Sequence, residues 1–392
     1  MTNRECFFAI ANGKKPDRAY FAPDITDWYL GNHRGEGEPL KYGPGVMIPD
    51  DDPIRYEHQE HLPEEFQNLS LMDFHRRYEW GMHCHIRDWY ETYYTNGVSQ
   101  NTVIEGDKMR MTYSCPKGSL WRDYRLAADG SWASVNYWLK STEDIPLLIE
   151  LIQGTHYVLR DDNIRRVLNQ LGEMGQADIV VNRSPFGKIL HEFLGFAETV
   201  FTLEDEPEMI EALMEALTQN DMELIHLAAQ SSCSIVLICD HADATLFSPS
   251  MYREYCIPFY KQVRDIMDKE GKYVSTHVDG NLKTLLPLLK DSGFHLLDGC
   301  TPAPMFDYQV EELADAINGS MTAFVGIPSS LFCDNTPVEE LCIIADRILR
   351  AFHGKVIVNV GDILPAVGDM RKVIAVGEYI KNHPINQELQ EK

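Results

Sequence analysis

The chain has 392 residues, of which 44% are hydrophobic, and a formal net charge of -25. This length suits one large α/β barrel with insertions, or two to three domains of average size. So large an excess of acidic residues argues against binding to nucleic acid or to anionic membranes, since both require a basic surface.

The N-terminal sequence and the cysteines predict a cytoplasmic protein. No run of eighteen apolar residues occurs, and the opening MTNRECFFAIANGKKPDR lacks the apolar stretch and cleavage site of a secretory signal. The nine cysteines are scattered, odd in number and without a CxxC pair. We therefore expect reduced thiols and no disulfide framework.

The first third of the chain has no single regular pattern. RAYFAPDITD (18–27) is a candidate strand, whereas residues 35–70 are rich in Pro, Gly and acids, which predicts an irregular surface excursion. Residues 71–125 are aromatic, with a second candidate strand around 81–87. We expect residues 35–125 to form a rim or lid.

From about residue 150 short apolar runs alternate with amphipathic segments. The longest amphipathic segment is predicted to be a helix, because Met209, Leu213 and Leu217 recur every fourth residue behind Pro207. Six of the apolar runs read as buried strands: ADIVVNRSPFG, SIVLICDHAD, KYVSTHVDGN, FHLLDGCTPAP, TAFVGIPSS and VIVNVGDILP.

Eight apolar strands joined by helices predict an α/β fold of the (β/α)8 TIM-barrel type, with an irregular and aromatic N-terminal extension. The strand count disfavours a doubly wound sheet, and no GxGxxG, P-loop or nucleophile elbow is found. We expect residues 1–392 to form a single barrel domain. In such a barrel the chemistry lies where the strands run into the following loops.

Polar side chains gather at these predicted strand ends. The alternative for each is a role in capping a loop, because strands commonly end in polar residues. We expect three catalytic residues, namely Asp24, Asp243 and Asp279, and four substrate-binding residues, namely Asp27, Asn182, Arg183 and Asn359.

A metal site is predicted around the stretch STHVDGNL (275–282). It places His277 and Asp279 on the same side of a strand, where both can converge on one ligand. The alternative is a core histidine followed by an aspartate that caps the next helix. His83 and His85 are also two residues apart, but the pattern there does not fix where they point.

Two more residues complete a candidate zinc set. His241 lies fifteen residues before Cys256, which lies twenty-one before His277. Imidazole and thiolate suit zinc, and three protein ligands with one open position are typical of a catalytic site. We therefore predict His241, Cys256 and His277 as zinc ligands. Cys256 has an alternative role, as a small apolar residue on a buried helix face.

Segments spread over most of the chain carry a family resemblance. In chain order they are NRECFFAIANGKKPDRAYFAP, SPFGKILHEFLGFAETVFTLEDEPEMIEALMEAL, SPSMYREYCIPFYKQV, STHVDGNLKTLLPLL and VIVNVGDILPAVGDMRKVIAVGEYI. Together they resemble the uroporphyrinogen decarboxylase superfamily, and within it the corrinoid-dependent methyltransferases. The last segment resembles the eighth strand and final helix of that family.

Departures from the family pattern narrow the expected chemistry. FAPDITDWYLGNH carries acids where uroporphyrinogen decarboxylases have arginines that grip the substrate's carboxylates, so a porphyrinogen substrate is not expected. Thiol-methylating relatives use a His-x-Cys pair and a distant Cys, but here these positions read His277-Val278-Asp279 and Gly361. Some O-demethylating relatives use two carboxylates and a histidine in this stretch, a pattern of which our predicted zinc set is a variant.

The resemblance implies a methyltransferase that moves a methyl group from a small donor, such as an aryl methyl ether, to the corrinoid (cobalamin) of a partner protein. Zinc would activate the leaving group, because an alkoxide or phenolate leaves poorly unless its oxygen is polarised or protonated. A homodimer is a further expectation. Two alternatives stay open: a metal-free decarboxylase or lyase in which Asp24 or Asp27 protonates a carbanion, and a barrel that only binds a corrinoid protein.

Overall fold

A computed structural model describes residues 1–390 of the chain. Its strands, in chain order, are β1 (Tyr20–Phe21), β2 (Met82–Ile86), β3 (Tyr90–Tyr94), β4 (Ser99–Glu105), β5 (Lys108–Cys115), β6 (Gly118–Leu126), β7 (Trp132–Ser134), β8 (Thr155–Leu159), β9 (Gly175–Val181), β10 (Ile235–Ile238), β11 (Tyr273–His277), β12 (Leu296–Cys300), β13 (Thr322–Ile327) and β14 (Ile357–Val360).

Helices follow most of the parallel strands. They are α1 (Asn3–Ala11), α2 (Thr26–Asn32), α3 (Leu71–Tyr78), α4 (Ile145–Gln153), α5 (Asp161–Leu171), α6 (Pro185–Lys188), α7 (Phe196–Asp205), α8 (Pro207–Gln230), α9 (Pro249–Met251), α10 (Ile257–Lys269), α11 (Leu286–Leu289), α12 (Val310–Ile317), α13 (Ser330–Cys333), α14 (Val338–Ala351), α15 (Met370–Lys381) and α16 (Ile385–Gln390). Two π-helical turns, Ile189–Phe193 and Tyr252–Cys256, interrupt the helices that follow β9 and β10.

Eight strands form one parallel sheet in the order β1-β14-β13-β12-β11-β10-β9-β2. The sheet closes on itself between β1 and β2, where the backbone N–H of Gly81 donates to the carbonyl of Phe21 at 2.8 Å. Within residues 1–390 this is the one backbone hydrogen bond that joins these two strands. All eight predicted strand segments belong to this sheet, so the predicted (β/α)8 barrel is confirmed.

The barrel interior changes from apolar to ionisable along its axis. Helix α1 covers the N-terminal end, where Phe7 stacks on His83 and packs against Phe324. Nearer the C-terminal ends of the strands, Asp178 of β9 and Asp298 of β12 are buried. Buried carboxylates require hydrogen-bonding or charged partners, so this upper half is the part of the barrel where ionisable groups must pair.

An antiparallel sheet stands at the rim of the barrel. We call it the rim sheet; it comprises β4 to β7, and a separate two-stranded ladder joins β3 to β8. The backbone N–H of Leu40 donates to the carbonyl of Gly130 at 2.9 Å, and that of Trp138 donates to Glu192 at 3.1 Å. The rim sheet thus contacts both the loop after α2 and the π-helical turn after β9, and it extends beyond residue 125 to Ser134.

None of the helices within residues 1–390 combines the length and the apolar character needed to cross a membrane. All nine cysteines are unpaired, as the scattered spacing predicts.

Candidate active site

Ionisable side chains converge where the barrel strands end. Because neighbouring parallel strands end at one edge of the sheet, residues in register lie side by side. In this way His277 of β11 is paired with Asp298 of β12, and His85 of β2 with Asp178 of β9. The mouth of the barrel is therefore built from histidine and carboxylate pairs on adjacent strands.

Three of the predicted site residues form one cluster, which we call the metal cluster. Ligand atoms of His241, His277 and Asp279 all lie within 4.8 Å of one another. The two imidazole rings are 4.7 Å apart, and Nδ1 of His241 is 3.9 Å from Oδ2 of Asp279. The predicted convergence of His277 and Asp279 on one point is thus present in the structure.

His277 is held between two carboxylates. Its Nδ1 lies 3.0 Å from Oδ2 of Asp298, and its Nε2 lies 3.4 Å from Oδ1 of Asp362. Burial alone would lower the pKa of His277, but Asp362 and Asp298 together raise it well above its usual value. This position therefore stabilises a positive charge, either a proton or a metal ion that replaces it.

The backbone beside His277 is shaped to leave room for its ring. Gly299 has a φ of 77°, and a Cβ placed on it would lie 2.6 Å from Cε1 of His277. The strand register shifts at the same place, between Leu297 and Cys300. Glycine at this irregularity of β12 thus leaves room for the His277 ring beside the neighbouring strand.

His241 stays neutral in the same cluster. Burial, followed by the charge of His277, lowers the pKa of His241 to about 2. Its backbone has a φ of 49°, in the left-handed region that a histidine seldom adopts. A neutral imidazole held in an unfavourable backbone conformation is ready to donate a lone pair to a metal ion.

The chemistry of the metal cluster fits zinc. Two imidazole nitrogens and one carboxylate oxygen are a common catalytic ligand set, which leaves a coordination position for a substrate oxygen. The carboxylate of Asp298 behind Nδ1 of His277 is the usual arrangement that orients a ligating histidine. Asp279, whose pKa is raised by burial and by Asp362, would lose its proton on binding the metal.

Cys256 does not join the two histidines. It lies on a π-helical turn and is fully buried. Burial and the nearby carboxylate of Asp240 raise the pKa of its thiol well above the usual value. Asp240 itself faces the helices, where it accepts from the backbone of Ser184 at 2.7 Å and from the hydroxyl of Tyr260. The structure thus supports the alternative role of Cys256, and Asp279 takes its place beside the histidines.

Asp24 and Asp27 lie at the mouth, after β1. Oδ1 of Asp24 accepts from the backbone and hydroxyl of Thr26, at 2.8 and 2.6 Å. Burial, the largest effect, raises the pKa of Asp24 to about 6 and that of Asp27 to about 7. Asn359 ties this loop to β14, because its Oδ1 accepts from the backbone of Asp24 at 2.7 Å. The side chain of Asn359 therefore holds the backbone of the loop after β1 in place.

Asp243 and Arg183 lie on the rim near the metal cluster. A Cβ on Gly280 would lie 2.6 Å from Cγ of Asp243, which places this carboxylate next to the residue that follows Asp279. Nη1 of Arg183 is 3.4 Å from Oε1 of Glu192, and its Nε is buried without a partner among the described residues. Asn182, the neighbour of Arg183, is exposed.

A second cluster, which we call the Asp178 cluster, lies across the barrel and was not among the predicted site residues. Nε2 of His83 is 2.9 Å from one oxygen of Asp178, and Nδ1 of His85 is 2.8 Å from the other. Two features of the sequence could have indicated these contacts. They are the pair His83 and His85, two residues apart, and the single acidic residue in the strand GQADIVV. Asp298 carries the same signal, as the one acid in LLDGC.

Comparisons with known proteins agree with this architecture. Residues 186–383, just over half of the chain, match the family model described as uroporphyrinogen decarboxylase (URO-D). No curated protein matches the chain. A solved structure described as a methyltransferase from Methanosarcina mazei is 14% identical, with a TM-score of 0.58, over 97% of this chain and 98% of that one. A B12-independent methionine synthase from Shewanella sp. W3-18-1 is 11% identical, with a TM-score of 0.40, over 93% and 94% of the two chains. The chain belongs to the uroporphyrinogen decarboxylase (URO-D) family.

Proposed function

We propose that this protein is an enzyme, a methyltransferase that moves a methyl group from a small donor to the corrinoid of a partner protein. The observation that carries the proposal is the convergence of His241, His277 and Asp279 within 4.8 Å at the mouth of the barrel. The likeness in fold to the methyltransferase from Methanosarcina mazei supports it. An aryl methyl ether is the donor class we propose, because its oxygen needs activation before the methyl group can leave.

Several residues of the mouth would take part in this reaction. Zinc held by the metal cluster would polarise the donor oxygen and so make it a better leaving group. Asp298 fixes the orientation of the His277 ring through Nδ1. Arg183 and Asp243, at the rim, would orient the donor.

The surface composition of the rim sheet favours binding of a protein partner. Residues 99–140 hold six basic and four acidic side chains, in a chain whose net charge is -25. Val103, Ile104 and Trp121 are exposed on the same sheet. A nearly neutral surface with exposed apolar side chains, in a chain that is acidic elsewhere, is where an acidic protein that presents its corrinoid would meet the least repulsion.

A metal-free decarboxylase or lyase is the second candidate. The raised pKa values of Asp24 and Asp27, about 6 and about 7, favour it, because such carboxyl groups can deliver a proton near neutral pH. The acids that follow β1 argue against a porphyrinogen with many carboxylates as its substrate. Purified enzyme is therefore expected not to decarboxylate uroporphyrinogen.

Metal analysis combined with a transfer assay tests the proposed function. We expect one zinc per chain and transfer of methyl from aryl methyl ethers to cob(I)alamin, and His277→Ala should remove both. His226→Ala, on the exposed face of α8, is the matched control and should retain both. A protein that turns over carboxylic acids and is unaffected by removal of metal would instead be the lyase.

A further inference from the structure

The Asp178 cluster is a hydrogen-bonded unit inside the barrel. Both oxygens of Asp178 are in contact with imidazole nitrogens, one from His83 and one from His85. The carboxylate is 1% exposed, whereas the two rings are 11% and 13% exposed. Both carboxylate oxygens are thus in contact with imidazole nitrogens, whereas Nδ1 of His83 has no partner among the described residues. The negative charge of Asp178 therefore favours protonated imidazole rings beside it.

The free edge of His85 and the carboxylate of Asp24 border the same loop residue, Gly45. Loop residue Gly45 has a φ of 67°, and a Cβ on it would lie 2.9 Å from Nε2 of His85 and 3.3 Å from Oδ2 of Asp24. Thr26 already binds the other oxygen of Asp24, so Oδ2 is the one left for this side. The imidazole edge and the free carboxylate oxygen therefore face one point of the mouth.

We infer that His85, held in place and kept protonated by Asp178 and with His83 on the other carboxylate oxygen, forms a proton relay with Asp24, and that Asp24 protonates the leaving oxygen of the methyl donor. This inference rests on the proposed function and extends it. In this role Asp24 is the catalytic acid, because it would contact the leaving oxygen. His85 acts through Asp24 and is a positioning residue.

The charges around His85 support this assignment. Burial alone would lower the pKa of His85, but Asp178 raises it to about 9, so its ring carries a proton at neutral pH. The charged or titratable groups around it are Asp178 of β9, His83 of β2, Asp298 of β12, Asp24 after β1 and the exposed Arg87. In return the pKa of Asp178 is held well below its usual range, so the carboxylate stays ionised between the rings.

Methyl transfer breaks the oxygen–methyl bond of the donor and forms a cobalt–carbon bond. Cobalt(I) of the partner's corrinoid gives the electron pair of the new cobalt–carbon bond, and the leaving oxygen keeps the pair of the broken oxygen–methyl bond. The oxygen takes a proton from Asp24, and a proton from Nε2 of His85 then reaches Oδ2 of Asp24 through solvent at the mouth. A proton from solvent then restores His85, whose Nδ1 stays bonded to Asp178.

The leaving-group dependence of the transfer rate tests the relay. The probes are anisole, whose phenolate leaves poorly, and 4-nitroanisole, whose phenolate needs little protonation. General acids contribute about 100-fold or more. We therefore expect His85→Gln and Asp24→Asn to lower anisole turnover by about 100-fold and 4-nitroanisole turnover by less than about 3-fold. Zinc content should stay at the wild-type value.

Two controls separate the relay from a structural role. His295→Gln, at the opposite end of the barrel, should lower the rates for both ethers equally or not at all. Loss of the same factor for both ethers in His85→Gln, with an unchanged melting temperature, would overturn the relay. So would binding of a second zinc ion that is lost in His85→Gln.

A spectroscopic measurement keeps the two proposals distinguishable. Nitrogen-15 NMR of labelled histidines, with His85→Gln for assignment, should show a doubly protonated His85 at pH 7. If the wild-type enzyme binds zinc but demethylates no ether, the proposed function fails, and the NMR signal then decides the state of the relay. A neutral His85 at pH 7 overturns it.

Discussion

Nδ1 of His277 lies 3.0 Å from Oδ2 of Asp298, its register partner on the adjacent strand. The two residues are twenty-one positions apart in the chain, yet both are buried and face the interior. This contact fixes the ring so that Nε2 faces the mouth. The geometry of the metal cluster therefore depends on a residue that is not itself a ligand.

The first prediction concerns Asp298. Replacing it with Asn removes the negative charge behind His277, and zinc affinity should fall by about 10- to 100-fold, because outer partners of ligating histidines typically contribute this much. Competition with a chromophoric chelator measures the affinity. Asp315→Asn, on the exposed face of α12, is the control. Unchanged affinity in Asp298→Asn would show that His277 binds no metal.

The second prediction separates Cys256 from Asp279. Cys256→Ala should retain full zinc and lose about 1 kcal/mol of unfolding free energy, because it only shortens a buried side chain. Asp279→Asn should lower zinc content, since it removes a charged ligand atom from the cluster. Metal analysis and urea unfolding of both variants provide the check. Loss of zinc in Cys256→Ala alone would restore the thiol as a ligand.

The third prediction is a pH dependence of stability. The pKa of His85 is raised from 6.5 to about 9 in the folded protein, so its contribution is fully present below pH 6.5 and is lost as the pH rises through about 9. The shift corresponds to at most about 3 kcal/mol. Urea unfolding of wild type and His85→Gln at pH 6 and pH 9.5 measures it. The wild type should lose more stability over this interval, and equal losses would contradict a charged His85.

The fourth prediction concerns the rim sheet. Lys108→Glu combined with Arg125→Glu reverses two basic side chains on it, and should slow methyl transfer to a protein-bound corrinoid by about tenfold or more at low salt. Transfer to free cobalamin should not change, because neither side chain lies in the barrel. Added salt should narrow the difference between wild type and variant. Equal slowing with both acceptors would contradict a docking role.

The strands of this fold can be predicted from the sequence because they are buried beneath the surrounding helices. A strand of a parallel sheet covered by helices is apolar on nearly every residue, as in IVLI of β10, and it stands out from amphipathic helices. Segment 81–87 was identified as a strand, but not the direction of its side chains. The direction follows from pairing with β9, whose residues lie 93 positions further along the chain.

The metal cluster was predicted in part for a similar reason. His277 ends β11 and Asp279 follows it by two residues, so the period of an extended chain predicts that both side chains point to one side. Cys256 was added by spacing along the chain, and spacing does not show which face of a helix points inward. The contacts of Asp178 with His83 and His85 span more than ninety residues, and only the register of β2 on β9 creates them.

The closure of the barrel by the single bond from Gly81 to Phe21 has a consequence for how the interior exchanges with solvent. Asp24 follows one strand of this seam and His85 belongs to the other, so breathing of the seam changes the separation between them. The Gly81 amide reports that opening, since its hydrogen exchanges when the bond breaks. Nearer the mouth Gly45 bridges this seam, because the backbone N–H of His85 donates to its carbonyl at 2.7 Å and its own N–H donates to Oγ1 of Thr26 at 2.8 Å. The separation of the two groups that would pass a proton therefore depends on one loop residue and not on strand pairing alone.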